Sequence, residues 1–316
     1  MIQNDLFDRV ALLDKVVVRH PALEAARLGI EECVAKTRAF REPVGSLLLA
    51  QGGMGKTTVC RMLLASMPPR VKHERRVEKT LVPAFYAAIP SPATVKSVAA
   101  SLLTNLNDPS PLAGTTAHMT VRLCRLINAC ETKLIFLDEF HHLFDIKKTS
   151  TSVNLSVCNW LKSIVNATKV SFCLVGLPDF APILANDSQL TRRFPIHFAL
   201  RALRPGDNQH IGALIPFLAS VRQQAMHRLE LSAMPRLDGL FAANQMFAAT
   251  GGIPAFVMAL IKQSLLVALR QDRNSVTMED IADAWDSGIS AQASLTSSNP
   301  FRMHEGELAA FVRRAA

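Results

Sequence analysis

Aromatic side chains are scarce in this chain, at 6% of residues with a single tyrosine. Proteins that grip single-stranded nucleic acid stack bases on aromatic rings, so that mode of binding has little to stand on. The six cysteines are Cys33, Cys60, Cys124, Cys130, Cys158 and Cys173, and no pair has C-x-x-C spacing. That removes the common zinc and redox signatures. Cysteines in apolar surroundings behave as small hydrophobes, and a reduced, cytoplasmic setting fits them. The opening MIQNDLFDRV lacks the apolar core of a signal peptide. The longest apolar stretch, Ile253 to Leu269, is broken by Lys262, Gln263 and Ser264. With fewer than ~18 clean apolar residues it reads as a buried helix, and no membrane partner is expected. No G-x-S-x-G elbow and no catalytic-cysteine signature occurs, so an independent hydrolase site has no support.

What is present is a basic chain of 316 residues, 49% hydrophobic and 19% charged, with a formal net charge of +9. That suffices for a sizeable core in one large domain or two modest ones. The charge favours a polyanionic partner, and with few aromatics, contact through nucleic-acid phosphates is the better expectation. The densest basic run, RVKHERR from Arg70 to Arg76, reads as a solvated loop.

Apolar runs without polar alternation stand at Val44 to Leu49, Leu81 to Ala88, Lys133 to Leu137 and Val170 to Val175, with a fifth at Phe198 to Leu200. Helical spacing follows the first four. This argues for an α/β domain: a parallel sheet covered by helices on both faces. After Arg204-Pro205-Gly206 the strand signals stop. The expected organisation is an N-terminal linker and helix over 1–43, a nucleotide-binding α/β domain over 44–205, a smaller helical lid over 206–289, and a loose tail over 290–316.

The strand–loop–helix LLLAQGGMGKTTVC, Leu47 to Cys60, has the layout of a phosphate-binding loop. Gly52, Gly53, Met54 and Gly55 would turn backbone amides inward, Lys56 would sit over the β- and γ-phosphates, and Thr57 would offer its hydroxyl to Mg²⁺. Thr58 continues the helix start, whose dipole adds to the attraction. The usual first glycine is replaced by Ala50. It costs little provided its φ is negative. The partner signal is LIFLDEF, Leu134 to Phe140, where a buried strand ends in Asp138 and Glu139. Asp138 would hold Mg²⁺ through a water, and Glu139 would orient the attacking water or take its proton. In SQLTRRF, Ser188 to Phe194, Arg193, ahead of Arg192, is the candidate arginine finger on a neighbour's γ-phosphate. The plain alternative is a helix-end arginine paired with acids on its own surface. His141 and His142 invite a metal, yet adjacent side chains on an α-helix diverge.

The order AQGGMGKTT, PAFYAAIPSPATVKSVAASLL, LIFLDEFHHL, LVGLPDF and QLTRRF resembles the TniB and TnsC group of AAA+ ATPases over roughly residues 10–290. IPSPATVKS and the HHL after the acidic pair are the more particular features, and NPF at Asn299 to Phe301 a weaker one. The resemblance implies a bacterial regulator of DNA transposition, nucleoid-associated when bound to DNA. It would bind ATP and Mg²⁺ and assemble with itself into rings or filaments on double-stranded DNA. It would link a target-selection protein to a DDE transposase and be reset by hydrolysis. Lys56, Thr57, Asp138, Glu139 and Arg193 take the family's nucleotide roles. Lys96, Thr115 and Thr116 take its DNA contacts, although Lys96 also reads as an ordinary exposed helix lysine. Two departures stand out. The fourth strand ends in Val175-Gly176-Leu177 without a polar sensor, and TGGIPAF, Thr250 to Phe256, has no sensor arginine. Slow, switch-like hydrolysis is the expectation. The competing readings are an ExeA-like secretion-assembly ATPase and a helicase loader or replication initiator.

Overall fold

The structure, a computed structural model, describes residues 2–74, 77–147, 150–153, 155–180, 188–206 and 210–315. In chain order the strands are β1 (Ser46–Leu49), β2 (Arg70–Glu74), β3 (Val77–Leu81), β4 (Ala84–Ala88), β5 (Leu134–Asp138), β6 (Phe144–Lys147), β7 (Ser150–Val153), β8 (Ser171–Gly176) and β9 (Ile196–Ala199). The helices are α1 (Ile2–Ala11), α2 (Pro21–Ala39), α3 (Lys56–Ser66), α4 (Val95–Asn105), α5 (Thr116–Ala129), α6 (Leu155–Thr168), α7 (Ser188–Arg193), α8 (Leu214–Arg228), α9 (Leu240–Thr250), α10 (Pro254–Arg270), α11 (Met278–Asp286) and α12 (Glu305–Ala315). They fall into two compact units: Ala22–Gly52 with Lys56–Leu200, and Met1–Pro21 with Gly53–Gly55 and Arg201–Ala316.

The first unit is built on a five-stranded sheet in the order β4-β5-β8-β1-β9, parallel throughout. Every residue of β1, β5 and β8 is buried. On one face Leu47, Ile135, Leu137, Phe172 and Leu174 pack with Leu102, Leu123, Leu161 and Ile164 of α4, α5 and α6. The alternate residues Leu48, Phe136 and Cys173 are also sealed from solvent. Burial on both faces is why these strands read as unbroken apolar runs. Edge strand β9 instead alternates half-buried and exposed residues. Because β8 lies between β1 and β5, the loops leaving β1 and β5 flank the end of β8, the position where open α/β sheets place ligands.

Two elements depart from the sequence expectations. Arg70–Glu74 of the basic run form β2 rather than a loop and pair antiparallel with β3, Lys72 opposite Lys79; Arg75 and Arg76 lie outside the described residues. A second hairpin pairs β6 with β7. All six cysteines are free, five of them buried and Cys124 half-buried.

The second unit is helical. Val10 and Leu13 join Leu218, Val221, Met246, Val257, Leu260 and Leu265 in its core, so of the segment expected over 1–43, residues 1–21 belong to this body and the rest to the first unit. Lys262 of α10 pairs with Asp14, and Arg9 donates to Asn274 Oδ1 at 2.6 Å. α11 opens on a capping box between Thr277 and Asp280. The region expected to be a loose tail is ordered. Gln245 Nε2 donates to Pro300 O at 3.1 Å, and Leu308 is buried. Arg302 bonds Glu279, Asp283 and Asp286. Those acids recur at helical spacing on one side of α11, so a single arginine can staple the segment down. Among the described residues no single helix is long and apolar enough to cross a membrane.

Candidate nucleotide-binding site

The loop after β1 has the conformation its glycines allow. Gly53 and Gly55 adopt φ of 76° and 99°, which L side chains rarely tolerate. Gly52 has a negative φ and nothing within 4 Å of a built Cβ. Ala50 is buried with a negative φ, its amide donating to Gly176 O at 3.0 Å, so replacing the first glycine costs no strain. Met54 is 8% exposed. Lys56 begins α3, followed by Thr57 and Thr58 in its first turn. Lys56 Nζ donates to Ala50 O at 2.7 Å and Gln51 O at 3.1 Å. The ammonium is thus held over its own loop by neutral carbonyls, which phosphate oxygens would outbid.

Asp138 closes β5, 6% exposed. Its Oδ1 accepts the amide of Glu139 at 2.7 Å, and its Oδ2 accepts the hydroxyl of Tyr86. The register explains the second bond. Tyr86 of β4 stands opposite Phe136 and Ala88 opposite Asp138, so Tyr86 and Asp138 are diagonal neighbours on one face. Burial first, then the Asp138 carboxylate, pushes the Tyr86 phenol well above its ordinary range. Tyr86 is a site residue that sequence reasoning missed. Its role depends on strand register, which no local pattern encodes.

Glu139 leaves the strand with φ 56°, a left-handed conformation costing a non-glycine residue ~1 kcal/mol or more. The turn aims its carboxylate back at His141, with Oε2 3.1 Å from Nδ1. His142 Nδ1 lies 2.7 Å from Ile89 O. The histidines sit on a 3-10 turn rather than an α-helix, and their rings meet edge to face at 4.5 Å. Their divergence, expected from α-helical geometry, is therefore not observed. Ligand atoms of Glu139, His141 and His142 lie within 4.8 Å of one another. The three are grouped closely enough to be candidate ligands of one ion.

At the end of β8, a Cβ on Gly176 would lie 2.4 Å from the fully buried ring of Phe140. Position 176 thus has no room for a polar side chain.

Arg192 and Arg193 end α7 and take the geometry of the plain alternative. Both reach the carboxylate of Glu42, Arg192 through Nη2 and Nε, Arg193 through Nη1 at 3.5 Å. Lys96 is exposed in the first turn of α4, between the capping-box residues Thr94 and Ser97. Thr115 is the N-cap of α5, accepting from His118 N, and Thr116 is the first helical residue. Arg122 shapes the loop before them, with Nε on Asp108 Oδ2 at 2.6 Å and Nη2 on Ser110 O at 2.8 Å and Ala113 O at 3.3 Å.

Comparison with known proteins agrees with this architecture. The family model described as bacterial TniB protein matches residues 11–201. None of the curated proteins matches. Among solved structures, ORC2 of Aeropyrum pernix, in ADPNP and ADP complexes, superposes with TM-score 0.61 at 11% identity, covering 88% of this chain and 71% of that one. Cdc6p of Pyrobaculum aerophilum gives 0.59 at 17%, covering 90% and 70%. ORC1 of Aeropyrum pernix, in complex with DNA, gives 0.58 at 18%, covering 88% and 69%. At such identities the likeness is one of fold, that of the AAA+ ATPases. A family match over more than half the chain, laid on that fold and on a phosphate-loop geometry, makes this chain a member of the TniB family.

Proposed function

We propose that the protein is an ATP-hydrolysing, DNA-binding regulator of transposition. The observation that carries the reading is the family match spanning both halves of the nucleotide site: the Gly-rich loop with Lys56 heading α3, and Asp138-Glu139 ending β5. In this reading Gly52, Gly53, Met54, Gly55, Lys56, Thr57 and Thr58 hold the triphosphate. Thr57 and Asp138 hold Mg²⁺, which supplies charge neutralisation between the phosphates. The residues fit that ion, since both Asp138 oxygens keep lone pairs beyond those taken by Tyr86 and Glu139. Glu139 orients the attacking water, and an arginine of α7 completes the site of a second copy. Without a polar side chain at the end of β8, turnover in the absence of partners stays below about one per second, near the bottom of the enzymatic range.

DNA is gripped as a duplex, through phosphates, with Lys96, Thr115 and Thr116 as contacts. The assembly of copies on DNA joins a target-selection protein to a DDE transposase, in the bacterial cytoplasm at the nucleoid. A replication-initiator or loader role is the second reading, favoured by the fold likeness to ORC and Cdc6 proteins. The test is duplex binding with ATP, with ADP and without nucleotide, over a salt series. Affinity that requires ATP, falls steeply with salt and drops in Lys96→Ala supports the transposition reading. Preference for single strands moves the loader reading ahead. Nucleotide binding with no DNA binding under any condition overturns both.

A further inference from the structure

We propose that Glu42 is a positioning residue that parks the arginines of α7 in the isolated subunit and releases them to the triphosphate bound by a second copy of the chain. The proposal deepens the ATPase reading above and rests on it.

The chain just after Glu42 is hydrogen-bonded in place. Thr37 Oγ1 accepts from Val44 N at 2.9 Å and donates to Val44 O at 3.0 Å, and Ser171 Oγ donates to the same carbonyl at 2.8 Å. Gly45 N donates to Arg193 O at 2.8 Å, and a Cβ on Gly45 would lie 2.5 Å from the Phe194 ring. Residues 44 and 45 are therefore tied to the sheet and to the end of α7, which keeps Glu42 beside the arginines.

The charges there do not balance. Glu42 is held below the usual carboxylate range by Arg192 first, with Arg193 and Arg41 adding to it. One carboxylate thus meets two guanidinium groups, those of Arg192 and Arg193. A polyphosphate carries the charge and the oxygen geometry to take more of those donors than one carboxylate can. The hold is also weak enough to give up. The Arg192 side chain is 68% exposed and Glu42 48%, a setting where ion pairs are weak. Arg193, 18% exposed, makes the longer contact. Glu42 thus keeps the guanidinium groups ordered and partly neutralised until a stronger anion arrives.

The experiment measures ATP hydrolysis per subunit against protein concentration, first without and then with duplex DNA, for the parent, Glu42→Gln, Glu42→Gln/Arg192→Ala and Glu42→Gln/Arg193→Ala. Glu42→Gln is expected to reach half-maximal activity at about two- to fivefold lower concentration than the parent, the shift that loss of an exposed pair allows. One of the double variants is expected to abolish the gain, naming the arginine that is released. Should Glu42→Gln fold poorly by circular dichroism, Glu42→Asp, which keeps the charge and loses the reach, is expected to shift the curve the same way. Superposable parent and Glu42→Gln curves overturn the proposal, as does a gain that survives in both double variants. A gain seen only when duplex DNA is added assigns the arginines to DNA phosphates and overturns it too. A parent that hydrolyses no ATP at any concentration sinks the ATPase reading itself, which is distinct from a working parent with an inert Glu42→Gln.

Discussion

Tyr86→Phe removes one oxygen atom from the candidate site, and its effect can be worked from the geometry. Asp138 is a carboxylate 6% exposed, with the Tyr86 hydroxyl and the Glu139 amide as donors. A hydrogen bond to a charged group contributes ~1.5–3 kcal/mol, and the buried acceptor left behind cannot recover its hydration. Relief from burying the hydroxyl offsets little of this, because that group is itself only partly buried. The first unit should lose ~1.5–2.5 kcal/mol. For a body of its size that lowers the thermal midpoint by about 3–10 °C. Differential scanning fluorimetry reads the shift, and a double-mutant cycle with Asp138→Asn isolates the pair, with a coupling of ~1 kcal/mol or more expected. Tyr86 is the only tyrosine in the chain, so near-ultraviolet absorbance reports this one phenol. It should stay protonated through its ordinary range near ~10 for as long as the protein is folded. A shift under ~0.5 kcal/mol, no coupling in the cycle, or an ionisation step at the ordinary value in folded protein would each refute the reasoning.

Ala50→Gly should change nucleotide affinity by less than about threefold and cost ~0.5–1 kcal/mol of stability through added backbone freedom; isothermal calorimetry showing tenfold tighter binding would mean the loop is strained as it stands. Arg122→Ala strands Asp108, whose side chain is 2% exposed, and should cost ~3 kcal/mol. It should also speed amide exchange across Ser110 to Thr116 and weaken duplex binding, and unchanged exchange there would count against a clamp. Asp280→Asn removes the Arg273 contacts and the carboxylate of the α11 capping box and should lower the midpoint of the second unit by ~1–3 kcal/mol equivalent. Arg273 holds the Asp280 carboxyl below its ordinary value of 3.8. The contribution is therefore complete above that value and lost as pH falls through the lower folded one. Parent and variant melts should converge on acidification, and a gap that stays constant across that window would rule the ion pair out as its source.

The central strands were legible because both faces are buried, which leaves apolar runs with no polar interruption. The edge strand β9 was placed late by two residues, at Phe198 to Leu200 against Ile196–Ala199, because its alternating burial carries no continuous run. The β2–β3 hairpin was illegible for the converse reason. It is polar along most of its length, and opposed lysines at 72 and 79 look like solvent-exposed loop. Lys56, Asp138 and Glu139 could be found because loop and strand end are each local patterns. Tyr86 and Glu42 could not. Tyr86 needs the β4–β5 register, and Glu42 meets its arginines across 150 positions of chain. The ordering of the C-terminal segment was half visible. The acids of α11 stand at helical spacing in the sequence, but the arginine that reads them lies beyond the helix.

The contact between Gly176 and Phe140 has a consequence for how this site can change. Any side chain at 176 collides with a ring that has no room to retreat, since Phe140 is fully buried. Trimming Phe140 first would open a cavity costing ~3–5 kcal/mol. A polar group therefore cannot be installed at position 176 by a single tolerated substitution from either side. The two positions form a valley that must be crossed together, so nucleotide sensing is more accessible by changing what lies at the edge of the subunit than by rebuilding its interior.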